Sequence, residues 1–331
     1  MMRTGRVTRW TLAVFTTMTM AVAGGTFGVS PLAAQQGTGR QVKCEPAPNA
    51  LGVSRVVEID ATGGPRFGRL QYRDHDFLQD GEVVLTFDDG PHPTFTPMIL
   101  DALDEHCTKA TFFVLGQRAL SFPNQLREVG RHGHTIGTHT WSHANLGRSS
   151  AAQVESQIEL AISAAQLTLG GPTAPFFRFP YLSDPGGAQA YLKSRDIANI
   201  SIDVDSHDFR TKSPARMISN VLRGLQEKKK GVILFHDIQP STAHGIRQLL
   251  AELKTRGYRV VHIRPKQSQS TLAAYDERLE RDRSGRPRVA AVRPSPAPVA
   301  RPDPEPQRVA APPPQRTRET RDWRDTVFGR W

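Results

Sequence analysis

From Val83 onward the chain repeats one pattern: a short apolar run, a turn, then a stretch with apolar residues at helical spacing. The apolar runs Val83–Phe87, Ala110–Leu115, His134–Thr138, Phe176–Phe179, Asn199–Val204, Gly231–Phe235 and Tyr258–Ile263 read as buried strands. Pro97–His106, Gln125–Arg131, Ala151–Leu169, Pro214–Lys229 and Gly245–Arg256 read as helices between them. Ala151–Leu169 is the clearest. It carries Val154, Ile158, Ala161, Ile162 and Ala165 on one face, Ser149 and Ser150 as candidate caps, and Gly170-Gly171-Pro172 as a stop. Strands alternating with helices predict an α/β fold with a parallel sheet and helices outside. A regular eight-fold barrel takes roughly 250 residues. The repeating region is shorter, so the pattern predicts an irregular (β/α) barrel of about seven parallel strands. A doubly wound open sheet is the alternative.

The flanks break this pattern. Residues 1–34 carry Arg3, Arg6 and Arg9, then the mostly apolar Trp10–Val22, then small residues around Leu32-Ala33-Ala34. This is the layout of an export signal, and an uncleaved membrane anchor is the competing reading. Residues 35–79 read as a polar arm with short β elements, among them Val56–Asp60 as an edge strand before the Gly63-Gly64-Pro65 turn. The catalytic-looking repeat occupies residues 80–264. Residues 265–331 read as a low-complexity, disordered Pro/Arg-rich tail, with ten prolines in residues 285–314. Trp323, Phe328 and Trp331 near its end suit a docking peptide.

Charge changes this picture little. Of the formal net charge of +11, the first 34 residues hold +3 and residues 265–331 hold +5, so the 230 residues between carry only +3. That argues against a nucleic-acid partner. An exported chain with two cysteines, Cys44 and Cys107, is expected to bridge them, which would tie the arm to the chain just beyond the first strand. Location is expected to be periplasmic, secreted or envelope-associated, with membrane contact only through an uncleaved anchor. Oligomeric state is not legible.

The candidate chemistry sits at strand ends. Val83–Phe87 runs into Asp88-Asp89-Gly90-Pro91, and side chains alternate along a strand, so the two acids are expected to divide their labour. One would bind a cation and the other would stay free as a base. His139 and His143 follow another apolar run, and an i, i+4 pair on a helical turn can converge on one ion. Two imidazoles and one carboxylate leave positions open for water and substrate. Arg178 is one charge in an apolar strand end and should face a carboxylate. Asp205-Ser206-His207-Asp208-Phe209 and Leu234-Phe235-His236-Asp237 deliver further acids and histidines at later strand ends.

In this order, Thr86-Phe87-Asp88-Asp89-Gly90, His139-Thr140-Trp141-Ser142-His143, Arg178-Phe179-Pro180-Tyr181, Asp205–Phe209 and Leu234-Phe235-His236 resemble the five motifs of the polysaccharide deacetylases, the NodB-homology domain of carbohydrate esterase family 4. The resemblance covers roughly residues 80–264. It implies an irregular (β/α) barrel and hydrolysis of N-acetyl groups on GlcNAc-type units of an acetylated glycan such as chitooligosaccharide or peptidoglycan. It implies that Asp88 is the general base, steered by Arg178. Asp89, His139 and His143 would ligate a divalent metal, usually Zn²⁺, with Co²⁺, Mn²⁺ and Ni²⁺ also suited. The Tyr181 N–H would help hold the oxyanion. Asp208 would set the tautomer of His236, the general acid, and Leu234 would line the pocket for the acetyl methyl. Two positions depart from the family pattern: Phe209 stands where Trp is frequent, and Leu182 where Gly is common. Both are expected to shape the substrate groove. The rival readings are O-deacetylation by the same site and a non-catalytic glycan-binding protein.

Overall fold

The computed structural model describes Cys44 and residues 49–284. The expected export signal and the Pro/Arg-rich stretch from residue 285, with its terminal aromatic residues, lie outside the described residues. Ten strands run in chain order as β1 (Arg55–Ile59), β2 (Arg66–Phe67), β3 (Glu82–Asp88), β4 (Thr111–Val114), β5 (Thr135–Thr138), β6 (Phe176–Phe177), β7 (Ala198–Ile200), β8 (Val204–Asp205), β9 (Gly231–His236) and β10 (Arg259–Pro265). Eight α-helices accompany them: α1 (Phe95–Glu105), α2 (Gly116–Ser121), α3 (Pro123–Arg131), α4 (Ala151–Leu169), α5 (Gly186–Ser194), α6 (Pro214–Lys228), α7 (Pro240–Thr255) and α8 (Ala273–Arg283).

Every strand pairing is parallel. From β3 the ladder runs through β4, β5 and β6 to β7, and in the other direction through β9 to β8. The chain from β7 to β8 spans only residues 198–205, so one short segment pairs with β6 at its start and with β9 at its end. That segment closes the barrel. The expected single strand Asn199–Val204 is therefore two, because the chain changes partners within it. β1 and β10 extend the sheet beside β3, and β1 is an edge strand.

Strand alternation sorts the core into two layers. Val83, Leu85 and Phe87 of β3 pack outward with Ile99 and Leu103 of α1 and with Ile246 and Leu249 of α7. Val84 turns inward with Phe113, Phe176, Ile200 and Val232. By the two-residue period, Thr86 and Asp88 share the inward face with Val84, and Leu234 and His236 share it with Val232. The inner layer thus changes from apolar to polar toward the carboxyl ends of β3 and β9. That end of a parallel barrel is where loops can gather side chains for chemistry.

The longest helix forms where its pattern places it. Ser150 and Gln153 make a reciprocal capping box at the start of α4, satisfying two amides that no helical carbonyl reaches, and Gly170 ends it. One expectation about the flanks is corrected. Residues 265–284 do not belong to the tail: α8 packs on α4, with Leu279 buried against Leu160 and Ala164, and Tyr275 donating to Glu155 at 3.0 Å. In the arm, β1 pairs with β10 and β2 with β7. Cys44 and Cys107 are joined in a disulfide with Cα atoms 5.5 Å apart. Among the described residues, no helix is long and apolar enough to cross a membrane.

Candidate active site

At the carboxyl end of the barrel lies a cavity of about 240 Å³, and Asp88, Asp89, His139, His143, Tyr181, Phe209, Leu234 and His236 all line it. The alternation argument alone would send Asp88 and Asp89 to opposite faces. It fails at the strand end because Asp89 adopts a left-handed backbone, φ 74°, which swings its carboxylate back toward the cavity that Asp88 faces. Gly90 follows, and a Cβ there would lie 2.0 Å from Asp237 Oδ2, so this turn admits no side chain.

Asp88 is 2 % exposed and its Oδ1 accepts from Arg178 Nη1 at 2.8 Å. Burial raises its pKa to about 6, against the pull of the Arg178 charge. Arg178 is completely buried. Its guanidinium also donates to Thr86 Oγ1 at 2.7 Å, to the Ile200 carbonyl at 2.8 Å and to the Ser201 carbonyl at 3.1 Å, and it lies 4.3 Å above the Phe113 ring. A charge with so many fixed partners cannot swing, so it fixes the carboxylate it holds.

Asp89 Oδ1 lies 3.5 Å from His139 Nε2 and 3.4 Å from His143 Nε2, and the three ligand atoms fall within 4.8 Å of one another. The two histidines do not converge through a helical turn, as their spacing suggested. Residues 139–143 form a loop after β5, bent by left-handed backbones at Thr140 (φ 71°) and His143 (φ 60°). His139 Nδ1 donates to the Arg178 carbonyl at 2.7 Å, which leaves Nε2 as the free lone pair facing Asp89.

The donor set fits a divalent cation. Asp89 Oδ1 is buried without a hydrogen-bond partner. Burial pushes the His139 pKa down to about 3 and also lowers that of His143. Burial works against ionising Asp89, but the facing histidines outweigh it and its pKa is lowered. Two neutral imidazoles and an ionised carboxylate around an unsatisfied oxygen are ligands in their binding-competent forms.

Across the cavity, His236 Nδ1 lies 2.7 Å from Asp208 Oδ1. Burial opposes the imidazolium, but the Asp208 charge and hydrogen bond prevail and raise its pKa to about 10. Asp208 itself is completely buried and accepts from the Phe209 amide and the Thr242 hydroxyl. Phe209 sets its ring edge-on to His236 at 5.6 Å, and Tyr181 does the same to His143 at 4.6 Å.

Leu115, Arg118, Phe179, Leu182, Ile238 and Gln239 line the same cavity, and of these only Leu182 was singled out from the sequence. Asp237 does not cap α7, whose N-cap is Gln239. It is buried behind Gly90, accepts from Thr96 Oγ1 at 2.5 Å, and burial raises its pKa to about 7. Thr86 was visible in its motif, but nothing there signalled that its hydroxyl would accept from Arg178.

A parallel barrel that gathers Asp88, His236 and a His₂-Asp set at its mouth has the parts of a metal-assisted acid–base site. Residues 78–199 match the family model for polysaccharide deacetylase. The chain is 34 % identical over 197 residues to a chitin deacetylase of Colletotrichum lindemuthianum, covering 56 % of this chain and 79 % of that enzyme. It is 35 % identical over 184 residues to a peptidoglycan-N-acetylglucosamine deacetylase of Bacillus cereus, covering 54 % of this chain and 66 % of that enzyme, just short of two thirds of its length. A solved Bdellovibrio bacteriovorus peptidoglycan deacetylase superposes with a TM-score of 0.60 at 31 % identity, covering 68 % of this chain and 63 % of that one. The chain belongs to the polysaccharide deacetylase family.

Proposed function

We propose that the protein is an exported, metal-dependent hydrolase that removes N-acetyl groups from GlcNAc-type units of an oligo- or polysaccharide and releases acetate. The observation that carries this reading is the placement of two differently tuned groups on one cavity with the Asp89–His139–His143 set: Asp88 with a pKa of about 6 and His236 with a pKa of about 10. At neutral pH such a pair offers a carboxylate to accept a proton and an imidazolium to donate one.

Asp89, His139 and His143 would hold a divalent cation, most readily Zn²⁺, which when bound would supply Lewis acidity. Asp88, locked by Arg178, takes the proton of the attacking water. The Tyr181 N–H meets the oxyanion that forms on the carbonyl oxygen. His236 protonates the departing nitrogen, which an amide needs because an amine anion is a very poor leaving group. Leu234 and Phe209 bound the space beside the acetyl methyl. Named relatives that act on peptidoglycan GlcNAc, on chitin and, in Azorhizobium caulinodans, on chitooligosaccharide support the N-acetyl substrate. The disulfide supports an oxidising compartment and hence export.

The deciding experiment measures acetate release from chitooligosaccharide, peptidoglycan and acetylxylan by the metal-loaded, chelated and metal-restored protein. Release from an N-acetylated glycan, lost on chelation and restored by Zn²⁺, is expected. Release from acetylxylan alone would replace this reading with an O-acetyl esterase.

A further inference from the structure

A turn that precedes the matched region reaches the catalytic loop. β2 runs beside β7, and the chain reverses at Gly68, φ 100°, where a Cβ would lie 2.5 Å from the Ser201 carbonyl carbon. The Arg69 N–H then donates to Asp203 Oδ1 at 2.7 Å, and the Leu70 N–H to the Ile202 carbonyl at 3.0 Å. These contacts set Gln71 and Tyr72 against residues 181–184. The Gln71 amide is fully engaged. Its nitrogen donates to the Leu182 carbonyl at 2.8 Å and to Asp184 Oδ1 at 3.1 Å, and its oxygen accepts from Ser201 Oγ at 2.5 Å. The buried Tyr72 hydroxyl donates to Asp184 Oδ2 at 2.5 Å and accepts from Asn199 at 2.7 Å.

The loop held in this way is under backbone strain. Tyr181 and Leu182 are consecutive left-handed residues, φ 58° and 53°, a conformation that side-chain-bearing residues resist. Both line the catalytic cavity, and both also bound a neighbouring cavity walled by Leu70 and Gln71. The Ser201 carbonyl receives Arg178 while the Ser201 hydroxyl binds Gln71, so one residue joins the hold on the base to the hold on the loop.

We propose that Gln71 is a positioning residue for deacetylation: it clamps the left-handed Tyr181–Leu182 turn in the conformation that presents Tyr181 to the substrate. The proposal rests on the assignment of Tyr181 to the oxyanion made above. Because glycine adopts this backbone freely, a glycine at position 182 removes the strain at one of the two left-handed residues and leaves the clamp less to hold.

The test compares full-length, metal-loaded wild type with Gln71→Ala, Leu182→Gly and the double variant, by kcat and KM on chitooligosaccharide. Amide hydrogen exchange of residues 180–185 gives a readout independent of activity. Gln71→Ala is expected to lower kcat about tenfold with KM nearly unchanged, and to speed exchange in that loop while metal stoichiometry and Tm hold. In the Leu182→Gly background the same substitution should cost less than about twofold. An equal loss in both backgrounds, wild-type kcat in Gln71→Ala, or faster exchange across the whole barrel would overturn it. If wild type releases acetate only from acetylxylan, the deacetylase reading fails by itself. The same four proteins are then compared on acetylxylan, where the coupling and the loop exchange still decide the clamp.

Discussion

Asp208 grips His236 twice: Oδ2 accepts from the His236 backbone N–H and Oδ1 faces ring Nδ1, both at 2.7 Å. The first contact fixes the end of β9, and the second fixes the charge of the ring. Asp208→Asn keeps the size and removes the charge, so the raised His236 pKa of about 10 should fall. An adjacent opposite charge is worth roughly 1–3 pH units. The alkaline limb of the kcat–pH profile, where the acid loses its proton, should therefore move to lower pH by at least about one unit. An unmoved limb would assign the acid to another group.

Arg178→Met should hurt both stability and rate. It leaves the Asp88 carboxylate and two carbonyls, of Ile200 and Ser201, without their donor. Breaking one side of a buried pair costs about 3–5 kcal/mol, readable as a lower urea midpoint. Arg178→Lys restores the charge but not the fork, so it should recover part of the stability and little of the activity.

A separate pair of histidines should make the fold acid-sensitive. His262 donates to Thr135 Oγ1 at 2.9 Å, and burial, with the charges of Arg264 and Lys109, lowers its pKa to about 4. His134 is also buried, and its pKa is pushed well below the usual histidine value. With folded pKa values below the unfolded one of roughly 6.5, the unfolded chain takes up protons first as pH falls. The stabilisation is complete above about pH 6.5 and is lost as pH falls toward about 4, at up to ~1.4 kcal/mol per pH unit for each group. Urea midpoints across that range should show the decline, and His262→Gln should flatten it.

The disulfide should act on stability and spare catalysis. Cys44 and Cys107 close a segment of 63 residues, for which chain entropy gives about 4 kcal/mol. Cys107 lies just past α1, an 11-residue helix that carries the chain roughly 16 Å away from the Asp89 turn. Cys44→Ser should lower Tm by several degrees and leave kcat at 25 °C within about twofold; a large fall in kcat would show that the bridge also shapes the site.

The strands that deliver the site were legible because each is a continuous apolar run ending in charge, as in Val83–Asp88 and Gly231–His236. α4 was legible to the residue because its caps and its period agree. What escaped had no periodic signal. β2 is two residues long, α5 opens on Gly186-Gly187, and α8 is mostly charged with Leu279 as its buried anchor. The roles given to Asp88, Asp89, His139, His143, Arg178, Tyr181, Asp208 and His236 came from motif resemblance. The placement of Asp89, His143 and Tyr181 depends on left-handed backbones that no residue-type pattern announces. Gln71 is a polar residue in a loop, and its contacts depend wholly on tertiary placement.

The barrel seam at residues 198–205 carries a consequence for redesign. The backbone that shuts the ring between β6 and β9 also presents the Ile200 and Ser201 carbonyls to Arg178. Loosening that seam would release the Arg178 side chain and Asp88 with it while the apolar layers outside stayed packed. Insertions, fusions and permuted termini placed there would yield folded but idle proteins, so a library aimed at new glycans is better confined to side chains that line the cavity from outside the seam and the Tyr181–Leu182 turn, such as Leu115, Ile238 and Gln239.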